Sequence, residues 1–260
     1  MIDILAVQLD SIWEDKMANF TQVRALLALR RPAPGSLIVL PEMFGTGFSC
    51  DTTVTAEAEG GETELFLQSL AQEYQSCIVA GVVTKGTEGR GRNQALAIAP
   101  DGTLLARYTK MQPFSLGGES AVHERGTSPQ IFEWGGTKIA PLICYDLRFP
   151  ELAREAVKLG AEVLIYIAAW PVKRVNHWLT LLQARAIENQ AYVIGVNRTG
   201  TEPNYSYNGR SVIINPQGVI IADAGEREQI LRSEIDAQLI RDWRAEFPGL
   251  RDAGLASMKN

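Results

Sequence analysis

Apolar residues along this chain recur in two alternating periods, and the switches between them mark out the elements. Ile2 to Leu9 reads as a strand. Met17 to Leu29 then places Phe20, Val23 and Leu27 at helical spacing until Arg31-Pro32-Ala33-Pro34 stops the helix. Gly35 to Leu40 is a short, continuously apolar run, the pattern of a strand buried on both faces, and it ends at Pro41-Glu42-Met43-Phe44. Glu62 to Tyr74 returns to helical spacing through Leu65, Phe66, Leu70 and Ala71, and Ile78 to Thr84 follows as a strand. Lys85 to Arg92 has the composition of a hairpin turn, and Asn93–Ala99 and Thr103–Thr109 flank Pro100-Asp101-Gly102, so this pair is predicted to be antiparallel.

Further on, Gln130–Trp134 and Lys138–Ile143 read as strands around Gly135-Gly136, and Pro150 opens a helix whose first turn carries Glu151. Glu162–Ala169 is a buried strand closed by Trp170-Pro171. A helix then runs from Asn176 to Gln190 with Trp178, Leu181, Leu182 and Ala186 on its buried face, and Tyr192–Val196 is another strand. Ser211–Asn215, Gly218–Ala222 and Gln229–Ile235 complete the strands before a helix from Asp236 to about Glu246; residues 247–260 read as an exposed tail. The segments Gly45–Gly61 and Met111–Gly126 lack periodicity and suit loops over a site.

Composition narrows the class. The 260 residues, with no linker-like stretch, fit one domain spanning residues 1–260, tail included. The longest apolar runs are far too short to cross a bilayer, and the N-terminus lacks the basic flank of a signal peptide, so a cytoplasmic protein that does not enter a membrane is expected. A formal net charge of −5 without a Lys/Arg cluster argues against a nucleic-acid partner. Cys50, Cys77 and Cys144 are odd in number and widely spaced, offering neither a disulfide framework nor a metal-ligand pattern; Cys77, opening an apolar run, reads as core.

Three polar residues stand where apolar strands run out: Glu42, Lys110 and Cys144. In open α/β sheets, strand carboxyl ends are where sites assemble. Cys144 sits between a strand and the helix opened by Pro150, a setting in which backbone N–H groups and a cation would make the thiolate accessible near neutral pH. Read alone, such a cysteine is more often a buried structural thiol. Amide cleavage needs a nucleophile, a base that becomes an acid, and positive charge where an oxyanion develops. Cys144, Glu42 and Lys110 supply these in that order. Glu42 and Lys110 would push the thiol in opposite directions, so the three should titrate as one coupled unit.

Those residues in their settings, Leu40-Pro41-Glu42, Tyr108-Thr109-Lys110 and Ile143-Cys144-Tyr145-Asp146-Leu147-Arg148-Phe149-Pro150-Glu151, resemble the nitrilase, or carbon–nitrogen hydrolase, superfamily. His177-Trp178, Ala184 to Gln190 and Gly209 to Gly218 extend the likeness over nearly the whole chain. The resemblance implies an α/β fold, the nitrilase-type four-layer α-β-β-α sandwich with two mixed β-sheets, in which the strands at Ile2, Leu37, Ile78, Ile139 and Val163 form the inner layers. It also implies Glu42, Lys110 and Cys144 as catalytic groups and Glu119 as a fourth catalytic-site carboxylate holding Lys110. The Tyr145 N–H would be an oxyanion donor, with no metal, no cofactor and a homodimer.

Pro41 to Phe48, Trp170-Pro171 and Asn197-Arg198-Thr199-Gly200 look most like the omega-amidase branch, whose members release ammonia from the terminal amide of 2-oxoglutaramate and 2-oxosuccinamate. Phe48, Phe114, Trp170 and Arg174 are the substrate-binding candidates; Arg174 or its neighbour Lys173 would meet a substrate carboxylate, against the commoner reading of either as a solvated loop charge. Asp146 and Arg148 suit either contact with substrate or, at least as readily, a local ion pair bracing the turn, and both stay outside the catalytic set. The alternatives are an amidase for deaminated glutathione, a carbamoylase, a nitrilase, or a silent binding protein of the same fold. A Cys–His hydrolase would need His123 or His177 beside the thiol, and His177 reads instead as a packing residue at a helix start.

Overall fold

The computed structural model describes residues 1–255. Its strands are β1 (Ile2–Gln8), β2 (Leu37–Val39), β3 (Cys77–Lys85), β4 (Gly91–Ile98), β5 (Leu104–Thr109), β6 (Phe132–Trp134), β7 (Thr137–Ile143), β8 (Val163–Ala168), β9 (Tyr192–Asn197), β10 (Thr199–Thr201), β11 (Ser206–Asn208), β12 (Val212–Ile214), β13 (Ile220–Asp223) and β14 (Gln229–Ile235). The α-helices are α1 (Lys16–Leu29), α2 (Thr52–Thr55), α3 (Glu62–Tyr74), α4 (Glu119–Val122), α5 (Pro150–Lys158), α6 (Val175–Asn189), α7 (Ala237–Glu246) and α8 (Gly249–Asp252).

Two six-stranded mixed sheets result, ordered β14-β1-β2-β3-β4-β5 and β13-β12-β9-β8-β7-β6. Each has three parallel strands at its centre, β1-β2-β3 in the first and β7-β8-β9 in the second, with antiparallel strands outside them. The period-2 alternation of the first sheet assigns its faces. Ile4, Ala6, Leu37, Val39, Val79, Ala95, Ala97 and Tyr108 pack toward the second sheet. Leu5, Val7, Ile38, Leu40, Ile78 and Ala80 meet Phe20, Val23 and Leu27 of α1 and Phe66, Leu67 and Leu70 of α3. On the other side α5 and α6 cover the second sheet with Leu152, Ala153, Ala156, Val157, Trp178, Leu182 and Ala186. The strands at Ile2, Leu37, Ile78, Ile139 and Val163 are therefore the inner layers of a four-layer α-β-β-α arrangement.

Local chemistry sets the ends. Asp15 caps α1 by accepting from the Ala18 N–H at 3.0 Å, and Asp236 caps α7 through the Gln238 N–H at 2.9 Å. Pro150 is the first residue of α5, where its missing N–H costs no hydrogen bond.

Three expectations need correction, and one element was not read from sequence. The segment from residue 247 is not an exposed tail throughout: α8 forms, Leu250 and Leu255 are buried, and the Leu250 N–H donates to Gln190 Oε1 at 3.2 Å. Residues 256–260 of that expected tail lie outside the described residues. The stretch after Asn197 forms the small antiparallel ribbon β10-β11, whose brief strands carry too little apolar alternation to be read from sequence. His177 is exposed near the start of α6 and does not pack, because the neighbouring Trp178 takes the inward position. Asp146 does not pair with Arg148; it is buried and accepts hydrogen bonds from Tyr108 Oη, the Ile143 N–H and the Gln112 N–H at 2.7, 2.9 and 2.9 Å.

Candidate active site

Topology brings the three strand ends together. β5 is antiparallel to β4, which is antiparallel to β3, so β5 runs in the sense of β2 and β3 and ends on the same side of its sheet. Glu42 follows β2, Lys110 follows β5, and Cys144 follows β7 of the facing sheet. Lys110 continues the inward alternation of Ala106 and Tyr108, and its backbone is still paired with Asn93 of β4 (N–H to O, 2.9 Å). The Glu42 backbone needs room that β3 supplies. A Cβ on Gly81 would lie 2.6 Å from Glu42 Cα and 2.5 Å from Met43 N, so no larger residue fits there without displacement. Met43 and Cys144 both adopt positive φ, 48° and 44°, conformations that cost non-glycine residues energy and turn each chain sharply at its strand end.

Lys110 Nζ lies 2.7 Å from Glu42 Oε1 and 2.7 Å from Glu119 Oε2, and all three side chains are buried. Asn93 Nδ2 donates to Glu42 Oε1 and to Glu119 Oε1, both at 2.7 Å, and the Phe114 N–H donates to Glu119 Oε2 at 2.6 Å. The other Glu42 oxygen, Oε2, accepts from the Ala169 N–H at 2.9 Å, while the Cys144 thiol points at the Ala169 carbonyl, 3.8 Å away. Ala169, one residue past β8, thus holds the carboxylate and the thiol against opposite ends of adjoining peptide groups.

Electrostatics separates the roles. Burial alone would push the Lys110 ammonium toward neutrality, but the charges of Glu119 and Glu42 win and hold its pKa well above the usual lysine range. Burial opposes ionisation of Glu119 as well, yet Lys110 and the surrounding donors bring its pKa down to about 2. Glu119 is consequently a fixed carboxylate. Burial and the Glu42 charge push the Cys144 thiol well above its ordinary value, with Lys110 opposing them. This corrects the expectation of a thiolate accessible at neutral pH: one ammonium faces two carboxylates here, so the resting sulfur keeps its proton. Asp146 is raised to about 7 by burial, which its three donors and the Lys110 charge only partly offset.

Above the thiol opens a narrow pocket lined by Phe48, Phe114, Tyr145, Trp170 and Arg174, all expected from sequence, and also by Arg148, Ala169, Pro171, Tyr205 and Tyr207. Phe48 lies beside Lys110, with Nζ 5.6 Å from the ring centroid. Tyr145 directly follows the nucleophile candidate at the start of a 3₁₀ turn, where an N–H precedes the first intrahelical bond. Lys173 is exposed outside the pocket. Neither histidine meets the thiol: His123 is buried behind Glu119 (Nδ1 to Oε1, 3.7 Å), and His177 Nδ1 lies 3.2 Å from Arg148 Nη2. Among the described residues no group of His, Cys, Asp and Glu has the arrangement of a metal site, and no helix is long and apolar enough to cross a membrane.

Sequence reading missed Asn93, which joins the two carboxylates. The signal was available, because Asn93 shares a face with Ala95 and Ala97 and is thus a polar residue on a core-facing stripe.

The carbon–nitrogen hydrolase family pattern matches residues 4–245. This chain belongs to the carbon–nitrogen hydrolase family. It is 37% identical over 257 residues to Omega-amidase YafV of Escherichia coli K12, covering 97% of this chain and 96% of the relative. It is 36% identical over 217 residues to the 2-oxoglutaramate amidase of Bacillus subtilis 168, covering 83% and 84%. The fold superimposes on XC1258 of Xanthomonas campestris, a superfamily protein, with a TM-score of 0.91, 34% identity and 96% of each chain covered. As a carbon–nitrogen hydrolase, the protein is an enzyme acting on non-peptide C–N bonds.

Proposed function

We propose that this enzyme hydrolyses the terminal amide of a short 2-oxo dicarboxylate monoamide, 2-oxoglutaramate or 2-oxosuccinamate, to the acid and ammonia. The observation that carries the substrate class is the pair of guanidiniums in the pocket wall. Arg148 lies over the Trp170 ring (4.8 Å) and Arg174 over the Phe114 ring (5.5 Å). Neither is within ion-pair distance of a carboxylate among the described residues, and burial, with a smaller contribution from the Arg174 charge, lowers the Arg148 pKa. Two like charges beside apolar rings favour an anion between them, and a carboxylate at the far end of the amide fits. The similarity to the omega-amidase and 2-oxoglutaramate amidase relatives supports the same class.

The chemistry follows from which lone pairs and protons are free. Glu42 Oε1 is occupied by Lys110 and Asn93, whereas Oε2 has only the Ala169 N–H, and the carboxylate lies beside the thiol. Cys144 attacks the carbonyl carbon as its proton passes to Glu42, forming the S–C bond and moving the π pair onto oxygen. Two Lys110 donors are held by Glu42 and Glu119; the third, with the Tyr145 N–H, stabilises that oxyanion. The oxyanion collapses, the C–N bond breaks, and the Glu42 proton leaves with ammonia. Water, losing a proton to Glu42, attacks the thioester; the C–S bond breaks and sulfur recovers that proton. Glu119, fully engaged and ionised, holds Lys110 throughout. The working unit in this proposal is a homodimer, which sedimentation at micromolar concentration tests.

An ammonia-release panel is the decisive experiment. The 2-oxo dicarboxylate monoamides should show a much higher kcat/KM than a neutral aliphatic amide of equal length, and than deaminated glutathione, a carbamoyl compound or a nitrile. Equal values for the charged and neutral amides would overturn the substrate class and leave the C–N hydrolase assignment standing.

A further inference from the structure

A second buried ionic cluster, Arg198 with Glu202, lies against the pocket residues Phe48 and Tyr207, and the reaction steps above do not use it. Arg198, fully buried between β9 and β10, directs Nη1 to Glu202 Oε1, donates Nη2 to the Ser11 carbonyl at 2.9 Å and Nε to the Thr199 carbonyl at 3.1 Å, and stacks over the Tyr207 ring at 4.6 Å. Asp10 Oδ1 stands 3.7 Å from its other side. Glu202 has no free oxygen: Oε1 also accepts from the Phe48 N–H at 2.7 Å, and Oε2 accepts from Tyr207 Oη at 2.6 Å. Its own N–H donates to the Tyr205 carbonyl at 2.8 Å. The approach is tight, since Gly47 has φ +71° and a Cβ there would fall 2.4 Å from Glu202 Oε1.

Phe48, Tyr205 and Tyr207 form one side of the pocket, in contact as rings (Phe48–Tyr205 and Tyr205–Tyr207 centroids both 6.4 Å). None sits on a rigid element of its own. Phe48 belongs to the long loop after Glu42, and Tyr207 to a two-stranded ribbon that pairs with neither large sheet, a structure with little independent stability. Among the described residues, Glu202 is the carboxylate that hydrogen-bonds to both segments. A buried ion pair gives little net stability over an apolar substitute, so its worth must be sought in what it fixes.

We infer that Glu202, held by Arg198, is a positioning residue that sets the aromatic wall of the substrate pocket by tying Phe48 and Tyr207 together, and so governs which substrates fit. It acts through the wall, not on the reacting atoms. Burial raises the Glu202 pKa even with Arg198 opposing, the mark of a carboxylate confined where water would otherwise stabilise it. This inference rests on the amidase reading for its substrate arm only.

The test uses the full-length enzyme with Tyr207→Phe and Glu202→Gln, in two assays. In ammonia release from 2-oxoglutaramate, both variants should raise KM by roughly threefold to tenfold with kcat held within about twofold, the signature of lost ground-state placement. In the second assay Cys144 is alkylated by iodoacetamide or by the bulkier N-phenylmaleimide, with labelling read at the Cys144 peptide. The wild-type preference for the small reagent should narrow by roughly threefold or more in both variants. Glu202→Gln strands a buried guanidinium and can lose its fold; Tyr207→Phe keeps the ion pair and then decides alone. A folded Tyr207→Phe with wild-type KM and wild-type reagent preference would overturn the inference, as would a fall in kcat at unchanged KM. If wild type hydrolyses no amide, the substrate reading fails by itself, and the reagent preference still tests the wall.

Discussion

The two positively charged places in the pocket are built on opposite plans. At the floor, Lys110 is buried and overcompensated, with two carboxylates at 2.7 Å and Asn93 bridging them. At the mouth, Arg148 and Arg174 are half-buried against aromatic rings with no carboxylate in reach among the described residues. A buried cation without partners would lose its proton or unfold its surroundings, so the floor carries its own counter-charges. A half-exposed guanidinium keeps its charge in water and can wait for a ligand to neutralise it. On the proposed function, the charge that the protein balances itself serves the reaction and the charge left open meets the substrate.

Removing the thiol should break the floor most completely: Cys144→Ala is expected to abolish ammonia release while its far-UV spectrum and melting stay near wild type, since the change removes a single sulfur atom. Glu42→Gln and Lys110→Ala should each lower kcat by on the order of a hundredfold or more. The two differ in stability. Lys110→Ala leaves two buried carboxylates facing each other and should cost about 3–5 kcal/mol in a denaturant titration, whereas Glu42→Gln should cost much less. At the mouth, Arg148→Ala and Arg174→Ala should each reduce kcat/KM for the charged amide by roughly ten- to a hundredfold, about 1.5–3 kcal/mol of charge-assisted hydrogen bonding. The neutral amide should be spared; an equal loss for both amides would erase the distinction between floor and mouth.

A smaller effect concerns the brace between them. Asp146 ties the end of β5, through Tyr108 and Gln112, to the turn carrying Cys144, through Ile143. Its pKa is about 7 in the fold against 3.8 in an unstructured chain. Above pH 3.8 the unfolded chain releases this proton while the fold retains it, so stability falls as pH rises and the loss levels off above about 7. Asp146→Asn should remove that slope between those limits in pH-dependent denaturation; an unchanged slope would show that another group carries it. The least effect is expected from His177→Ala, less than about threefold in kcat because the ring is exposed and hydrogen-bonds Arg148 rather than the thiol, and from prolonged chelator treatment, since Lys110 already supplies the positive charge the reaction needs.

Much of this was legible in the residues alone. Strand and helix positions followed from period-2 and period-3.6 spacing, because burial of one face imposes those periods whatever the partner. Glu42, Lys110 and Cys144 stood out because each interrupts an apolar run where a strand ends, and the resemblance to the carbon–nitrogen hydrolases tied them together and added Glu119. What tertiary structure alone decided are the contacts between residues remote in sequence. Asn93 between Glu42 and Glu119, Ala169 between Glu42 and Cys144, Asp146 turning to Tyr108 instead of Arg148, and Glu202 reaching Phe48 all join separate elements. Spacing along a chain fixes which face a side chain takes, but the partner it meets there depends on how two sheets and their loops are brought together. The same limit hid the protonation of Cys144: one lysine between two carboxylates in a buried site is a sum over three strand ends, and no single strand contains it.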